Sequence, residues 1–141
     1  MPPTFPAPTD TQSLEQGQAL TPRFDGNGLI AAIATDAVSG DVLMFAWMNA
    51  DALSRSIETG LAHFWSRSRR TLWKKGEESG NELEIEEMRV DCDQDAIWMK
   101  VRVKGRGTAC HTGTRSCFYR RVALGDGQAV RLQLVPTTTP R

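Results

Sequence analysis

The sequence predicts a mainly β, α+β domain capped by one helix, and three observations carry that prediction. First, the apolar residues fall into short runs, such as residues 29–35 and Val42–Met48, separated by turn-forming residues. Second, Ile97, Met99, Val101 and Val103 alternate with Trp98, Lys100, Arg102 and Lys104, the period-two pattern of a half-buried strand. Third, the segment Ala50–Thr59 carries helix signals at both ends: Asn49 is placed as an N-cap and Gly60 as a C-terminal glycine.

Along the chain, five of the seven prolines lie within the first 22 residues and the other two are Pro136 and Pro140. Residues 1–20 therefore read as a flexible polar extension, 21–135 as the folded domain and 136–141 as a loose tail. Residues 29–35 and Val42–Met48 flank the turn signal Val38-Ser39-Gly40-Asp41, which predicts a hairpin. The helix follows, with Leu53 and Ile57 expected on one face. After an apolar stretch at 62–66 come a basic stretch at 67–75 and a loop at 76–81. Leu83–Val90 and residues 97–103 read as consecutive strands. A glycine-containing loop at 105–116 leads to 118–124, and Gly125-Asp126-Gly127 precedes a last strand at 130–135.

At 141 residues the chain fits one domain with a real core. Lys+Arg and Asp+Glu are 17 each, so no global field draws it to nucleic acid or to a membrane surface. No apolar run approaches the roughly 18 residues of a membrane span, and the amino terminus has no basic residue before Arg23. The expectation is a cytoplasmic protein without a disulfide framework.

The three cysteines then need another account. Cys92 and Cys110 have 17 residues between them and Cys110 and Cys117 have six, unlike the paired spacing of a zinc ribbon. Taken singly, each reads as a small buried thiol. Together, with His111 beside Cys110 in a polar loop, they read as three ligands of one zinc ion whose fourth position is open to water. Asp91, Asp93 and Asp95 surround Cys92 at spacing i, i+2, i+4. In an extended segment their carboxylates would share one face, opposite Cys92, and hard oxygen donors suit Mg²⁺. The EF-hand pattern fails, because Ala96 and Arg102 stand where it needs Gly and Glu. A solvated acidic turn is the plainer alternative.

Arg67, Arg69, Arg70, Lys74 and Lys75 cluster around Trp65 and Trp73. This pattern serves single-stranded nucleic acid, the phosphates of one nucleotide, or a solvated cationic face. Zero net charge favours a small phosphorylated ligand over nucleic acid.

The runs Val42–Met48 with Asn49, Phe64-Trp65-Ser66-Arg67-Ser68-Arg69 and Leu72-Trp73-Lys74-Lys75-Gly76-Glu77 resemble the phosphoribosyl-AMP cyclohydrolases, a family of histidine biosynthesis. So do Ser79-Gly80-Asn81, Arg89-Val90-Asp91-Cys92-Asp93-Gln94-Asp95-Ala96, Cys110-His111-Thr112-Gly113 and Arg115-Ser116-Cys117-Phe118-Tyr119. The resemblance covers roughly residues 20–123, in one order. It implies a β-rich pseudo-barrel capped by a helix, in an intertwined homodimer. It further implies hydrolysis of the N1–C6 bond in the adenine ring of N1-(5-phosphoribosyl)-AMP. By the same resemblance, Cys92, Cys110 and Cys117 bind Zn²⁺ at a site shared between two chains, and Asp91, Asp93 and Asp95 bind Mg²⁺.

In that reading His111 is the expected proton-transfer group, since imidazole titrates near neutrality. Arg67, Arg69 and Lys75 are expected at the substrate's two 5′-phosphates, and Glu77 and Ser79 at a ribose or the base. The expected partners are the small-molecule substrate and a second copy of the chain, with neither nucleic acid nor membrane. The alternative from another class is a zinc-stabilised nucleic-acid-binding module, with His111 as a fourth ligand closing the site.

Overall fold

Strand β1 (Ile30–Asp36) is the centre of the molecule, paired on both edges. The computed structural model describes residues 5–125 and 130–135. Antiparallel to β1 runs β2 (Val42–Met48), and parallel to it runs β6 (Ala96–Val103). β5 (Leu83–Val90) pairs antiparallel with β6 and completes a four-stranded sheet of order β2-β1-β6-β5. Two small hairpins complete the strands: β3 (His63–Ser66) with β4 (Thr71–Lys74), and β7 (Arg120–Val122) with β8 (Leu132–Leu134).

The β1–β2 hairpin turns where the sequence signals it. Asp36 Oδ1 accepts the backbone N–H groups of Val38 and Ser39 at 2.8 and 2.9 Å, and Gly40 takes the left-handed backbone (φ 79°) that closes the turn. The register shifts between Ala34, opposite Met44, and Thr35, opposite Val42, so Leu43 is an extra, bulged residue. Helix α2 (Ala50–Thr59) begins at Asn49, whose side chain accepts the Ala52 N–H, and ends at Gly60 in the left-handed region.

Alternation sorts the sheet's two faces. Ile30, Ala32 and Ala34 of β1 join Ile97, Met99 and Val101 of β6 in one core, closed by Leu53 of α2 and Phe64 of β3. The opposite face carries Ile33, Phe45 and Trp98, and is open enough that Phe45 is 46% and Trp98 38% exposed. The Trp98 indole donates to Thr35 Oγ1 at 2.7 Å, which fixes the ring against the sheet.

The expectation of a mainly β domain with a capping helix is met, with four differences. The sheet does not close into a barrel among the described residues, because the first part of β5 turns to residues 60–62 rather than to β2. Ile85 N–H donates to the Gly60 carbonyl and Ala62 N–H to that of Leu83. Ile57 does not share Leu53's burial: Leu53 is fully buried while Ile57 is 50% exposed, and the inward face of α2 is Ala52, Leu53, Ser54 and Ser56. The strands expected at 118–124 and 130–135 are shorter, at Arg120–Val122 and Leu132–Leu134. Finally, a helix forms within the stretch read as an extension: α1 (Thr11–Gln16), capped by Asp10.

Gln94 ties that segment to the domain. Its Nε2 donates to the Leu14 carbonyl at 2.9 Å, its Oε1 accepts the Thr21 N–H at 2.8 Å, and its own carbonyl accepts Arg23 N–H at 2.8 Å. The stretch read as a tail, 136–141, lies outside the described residues. Among the described residues no helix is long and apolar enough to cross a membrane.

Leu53→Ala should destabilise the protein by about 2–5 kcal/mol, the cost of a cavity in a closed core. Ile57→Ala should cost under about 1 kcal/mol, since much of that side chain already meets solvent. Urea unfolding of the two variants checks the contrast.

Candidate active site

The parallel alignment of β1 and β6 gives the sheet two distinct ends. At one end, where β6 begins, residues 91–95 link β5 to β6. This segment is a tight turn, not the extended strand that the aspartate spacing suggested. Asp91 Oδ1 accepts the N–H groups of Asp95 and Ala96 at 2.9 and 3.1 Å, and Gln94 takes a left-handed backbone (φ 57°). Curling, rather than alternation, brings Asp91, Asp93 and Asp95 together, and carboxylate oxygens from all three lie within 4.8 Å of one another.

Such crowding cannot leave three ordinary carboxylates. Hydrogen bonding with Asp91 and then Asp93, with burial and their negative charges behind it, pushes Asp95 up to about 6. Burial works to raise Asp91 as well, but hydrogen bonds from the Asp95 side chain, the N–H groups of Asp95 and Ala96, and the Asp93 side chain outweigh it and hold Asp91 below the usual carboxylate range. Asp91 and Asp95 therefore titrate as a coupled pair. Arg23 lies 3.8 Å from Asp93, the one cation paired with the trio among the described residues. Cys92 is exposed on the same turn and lines a cleft of about 490 Å³ that Leu14 and Gly17 help to roof.

The opposite end holds the other two cysteines. Cys110 N–H donates to the Thr114 carbonyl and Gly113 N–H to that of Cys110, folding a compact loop. The loop is fastened to the start of β2. Cys117 N–H donates to the carbonyl of bulged Leu43 at 2.7 Å, and Ser116 Oγ donates to that of Val42 at 2.7 Å. Arg115 anchors it by charge: its guanidinium lies 2.7 Å from Asp41 and 3.2 Å from Asp36, and donates to Ser39 Oγ at 2.7 Å.

The two thiols interact and divide their acidity. Burial first, then the Cys110 thiolate, pushes Cys117 up to about 11, with Lys75 pulling the other way. Burial would raise Cys110 too, but hydrogen bonds from Thr112, Thr114 and Cys117 hold it below the ordinary thiol range. The Thr112 hydroxyl donates to its sulfur at 3.0 Å. Paired sulfur donors suit a soft metal, just as three aspartates suit a hard one.

Beside Cys110 opens a cleft of about 480 Å³ lined by His111, Lys75 and Ser79. His111 is exposed at its rim. Thus the structure brings together Cys110, Cys117, His111, Lys75 and Ser79. It does not add Cys92 to them: among the described residues the aspartate trio is the only converging group of three or more Cys, His, Asp or Glu donors. Arg67 and Arg69 also sit apart, in the turn between β3 and β4. Arg67 stacks 5.0 Å from the Trp47 ring and lines a separate cleft with Asn49 and Trp65, while Arg69 leans on Ser66 Oγ. Glu77 is exposed in the loop after β4 and lines neither cleft. His63 is buried with Nδ1 2.8 Å from the Leu61 carbonyl, a structural arrangement. Three cleft residues escaped the sequence reading as site residues: Asn81, Arg106 and Thr108. Asn81 stood in a recognised motif, whereas Arg106 carried no signal beyond its place between two glycines.

Comparison with known proteins agrees with these motifs. The family model described as phosphoribosyl-AMP cyclohydrolase matches residues 44–119. A phosphoribosyl-AMP cyclohydrolase of Sinorhizobium fredii (strain NGR234) is 60% identical over 127 residues, covering 89% of this chain and 84% of that protein. One of Brucella canis is 59% identical over 125 residues, covering 88% of this chain and 90% of its own. One of Chelativorans sp. (strain BNC1) is 58% identical over 125 residues, with coverage of 89% and 90%.

The aspartate cluster predicts a specific pH dependence. A carboxyl raised to about 6 contributes stability that is present at low pH and lost as pH rises from the ordinary value of 3.8 through 6. In metal-free protein, Asp95→Asn should match the natural chain in thermal midpoint near pH 4 and exceed it above about pH 7. Melting curves across that range, in the presence of a chelator, check it.

Proposed function

The chain belongs to the phosphoribosyl-AMP cyclohydrolase family of hydrolases, and from that premise we propose that it opens the adenine ring of N1-(5-phosphoribosyl)-AMP between N1 and C6, as a zinc-dependent step of histidine biosynthesis in the cytoplasm. The observation that carries the reading is a cleft lined by Cys110, His111, Lys75 and Ser79, with Cys117 interacting with Cys110 behind it.

The donor sets fit the implied metals. Cys110 and Cys117 form an interacting thiol pair, and Cys92 would supply the third sulfur. The aspartate trio supplies only oxygens, crowded enough that Asp95 is pushed up to about 6, a repulsion that a bound cation would relieve. When bound, zinc would supply Lewis acidity, lowering the pKa of a coordinated water toward neutrality.

The geometry supports a shared site. Three sulfurs on one zinc must lie within about 4 Å of one another. Cys92 lies just before β6 and the other two beyond its end, and β6 is eight residues long. At about 3.3 Å per residue the strand alone interposes roughly 23 Å. We therefore assign Cys92 of one protomer and Cys110 with Cys117 of its partner to each zinc, in a homodimer. The open sheet face bearing Ile33, Phe45 and Trp98 is the surface we assign to the second copy.

Within such a site, His111 takes a proton as water adds to C6, and the proton ends on N1 as the C6–N1 bond breaks. Lys75 neutralises phosphate charge, and Ser79 and Glu77 are the candidates for hydroxyl or base contacts. The nucleic-acid-binding alternative finds less support: Arg89, Lys100 and Arg102 on the sheet are paired with Glu87 or Glu86 rather than offered to a polyanion.

Zinc-loaded protein with Mg²⁺ should open phosphoribosyl-AMP with a change in ultraviolet absorbance, and a zinc chelator should abolish it. Absence of turnover by fully loaded protein would refute the assignment.

Mixing Cys92→Ala with Cys110→Ala chains under subunit exchange should restore about a quarter of natural activity, because random pairing gives half heterodimers with one intact site of two. No recovery, with exchange verified by mass, would place all three ligands in one chain.

A further inference from the structure

On the proposed function, the structure assigns Arg106 as a second phosphate-binding cation beside Lys75, with Asn81 as the positioning residue that fixes the Arg106 loop. Most cations near this end of the sheet are neutralised. Lys74 and Lys104 reach Glu82, Arg102 reaches Glu86, and Arg115 is clamped by Asp36 and Asp41. Lys75 and Arg106 differ: among the described residues neither is within ion-pair distance of a carboxylate, and both line the cleft that reaches Cys110 and His111. No carboxylate lines that cleft. Two unneutralised cations beside the Ser79 hydroxyl make a seat for a phosphate monoester, whose oxygens match the guanidinium fork.

The loops that carry the two cations are built to meet. Asn81 Oδ1 accepts the Arg106 backbone N–H at 2.8 Å, while its Nδ2 donates to Thr108 Oγ1 at 3.1 Å. One amide thus ties the loop after β4 to the loop after β6. Glycine permits the approach: Gly105 has φ 68°, and a Cβ there would fall 2.5 Å from Asn81 Oδ1 and 2.8 Å from the Gly80 carbonyl. Because the anchor engages the backbone of Arg106, its guanidinium is left free for a ligand.

The test compares Arg106→Ala and Arg106→Lys with natural holoenzyme. We expect Arg106→Ala to raise KM for phosphoribosyl-AMP by about tenfold or more while kcat changes less than about threefold, with Arg106→Lys between. The inhibition constant of inorganic phosphate should rise in parallel, and the thermal midpoint should not move. Asn81→Ala should raise KM and lower the midpoint together. Asn81→Asp should restore the midpoint, since Thr108 can donate to a carboxylate that still accepts Arg106 N–H, but not KM, since it places negative charge in the seat. Unchanged KM and phosphate inhibition in Arg106→Ala, within about twofold, would overturn the assignment. Calorimetric titration with AMP, which needs no turnover, separates the two levels. Weakened AMP binding in Arg106→Ala without turnover by the natural enzyme supports the seat and refutes the reaction. Natural turnover with unchanged AMP binding refutes the seat.

Discussion

The parallel pairing of β1 with β6 imposes the constraint from which the arrangement of donors follows. Parallel neighbours cannot be joined by a hairpin, so β2, α2, the β3–β4 pair and β5 all lie in the connection between them. With Ile97, Met99 and Val101 fully buried along its length, β6 is a rigid spacer. It keeps Cys92 and the aspartates at one end of the sheet and Cys110, Cys117 and His111 at the other. A chain that holds its candidate donors this far apart cannot gather all three cysteines by itself, which is the ground on which a site completed by a second copy is proposed.

Each half-site is electrostatically unfinished. At one end crowding among three aspartates pushes Asp95 up to about 6, above the ordinary carboxylate range. At the other, one thiol is pushed up so that its neighbour can be pulled down. Both clusters gather donors whose charges repel, and a cation of matching hardness would relieve that repulsion. The cleft inverts this pattern, holding positive charge without carboxylates.

Local structure was legible in the sequence wherever a chemical signal lay beside the element it governs. Asn49 and Gly60 bracket α2 because cap and αL glycine act within one turn, and Val38-Ser39-Gly40-Asp41 marks a hairpin because Asp36 and Gly40 close it locally. Contacts distant in sequence were not legible. Nothing in residues 30–36 says that their partner on one side is 96–103. The hold of Gln94 on Leu14 and Thr21 spans more than 70 residues, and it orders a segment whose composition suggested none. Periodicity misled at Ile57, where strand β3 rather than the helix's own apolar count decides which face is covered. It also misled at Asp91, Asp93 and Asp95, where a left-handed Gln94 replaces an extended backbone. The cysteine and aspartate motifs were visible as a family resemblance, but Arg106 and the coupling role of Asn81 emerge only when two loops are seen side by side.

Arg115 has a consequence for how the protein can vary. Its ties to Asp36, Ser39 and Asp41 make the β1–β2 turn the mooring of the cysteine loop. Hairpin tips are ordinarily where chains absorb insertions, tags and neutral drift. Here a lengthened tip would move the carboxylates that hold Arg115, and with them the two thiols, so this surface turn is under the same length restriction as the cysteine loop it moors.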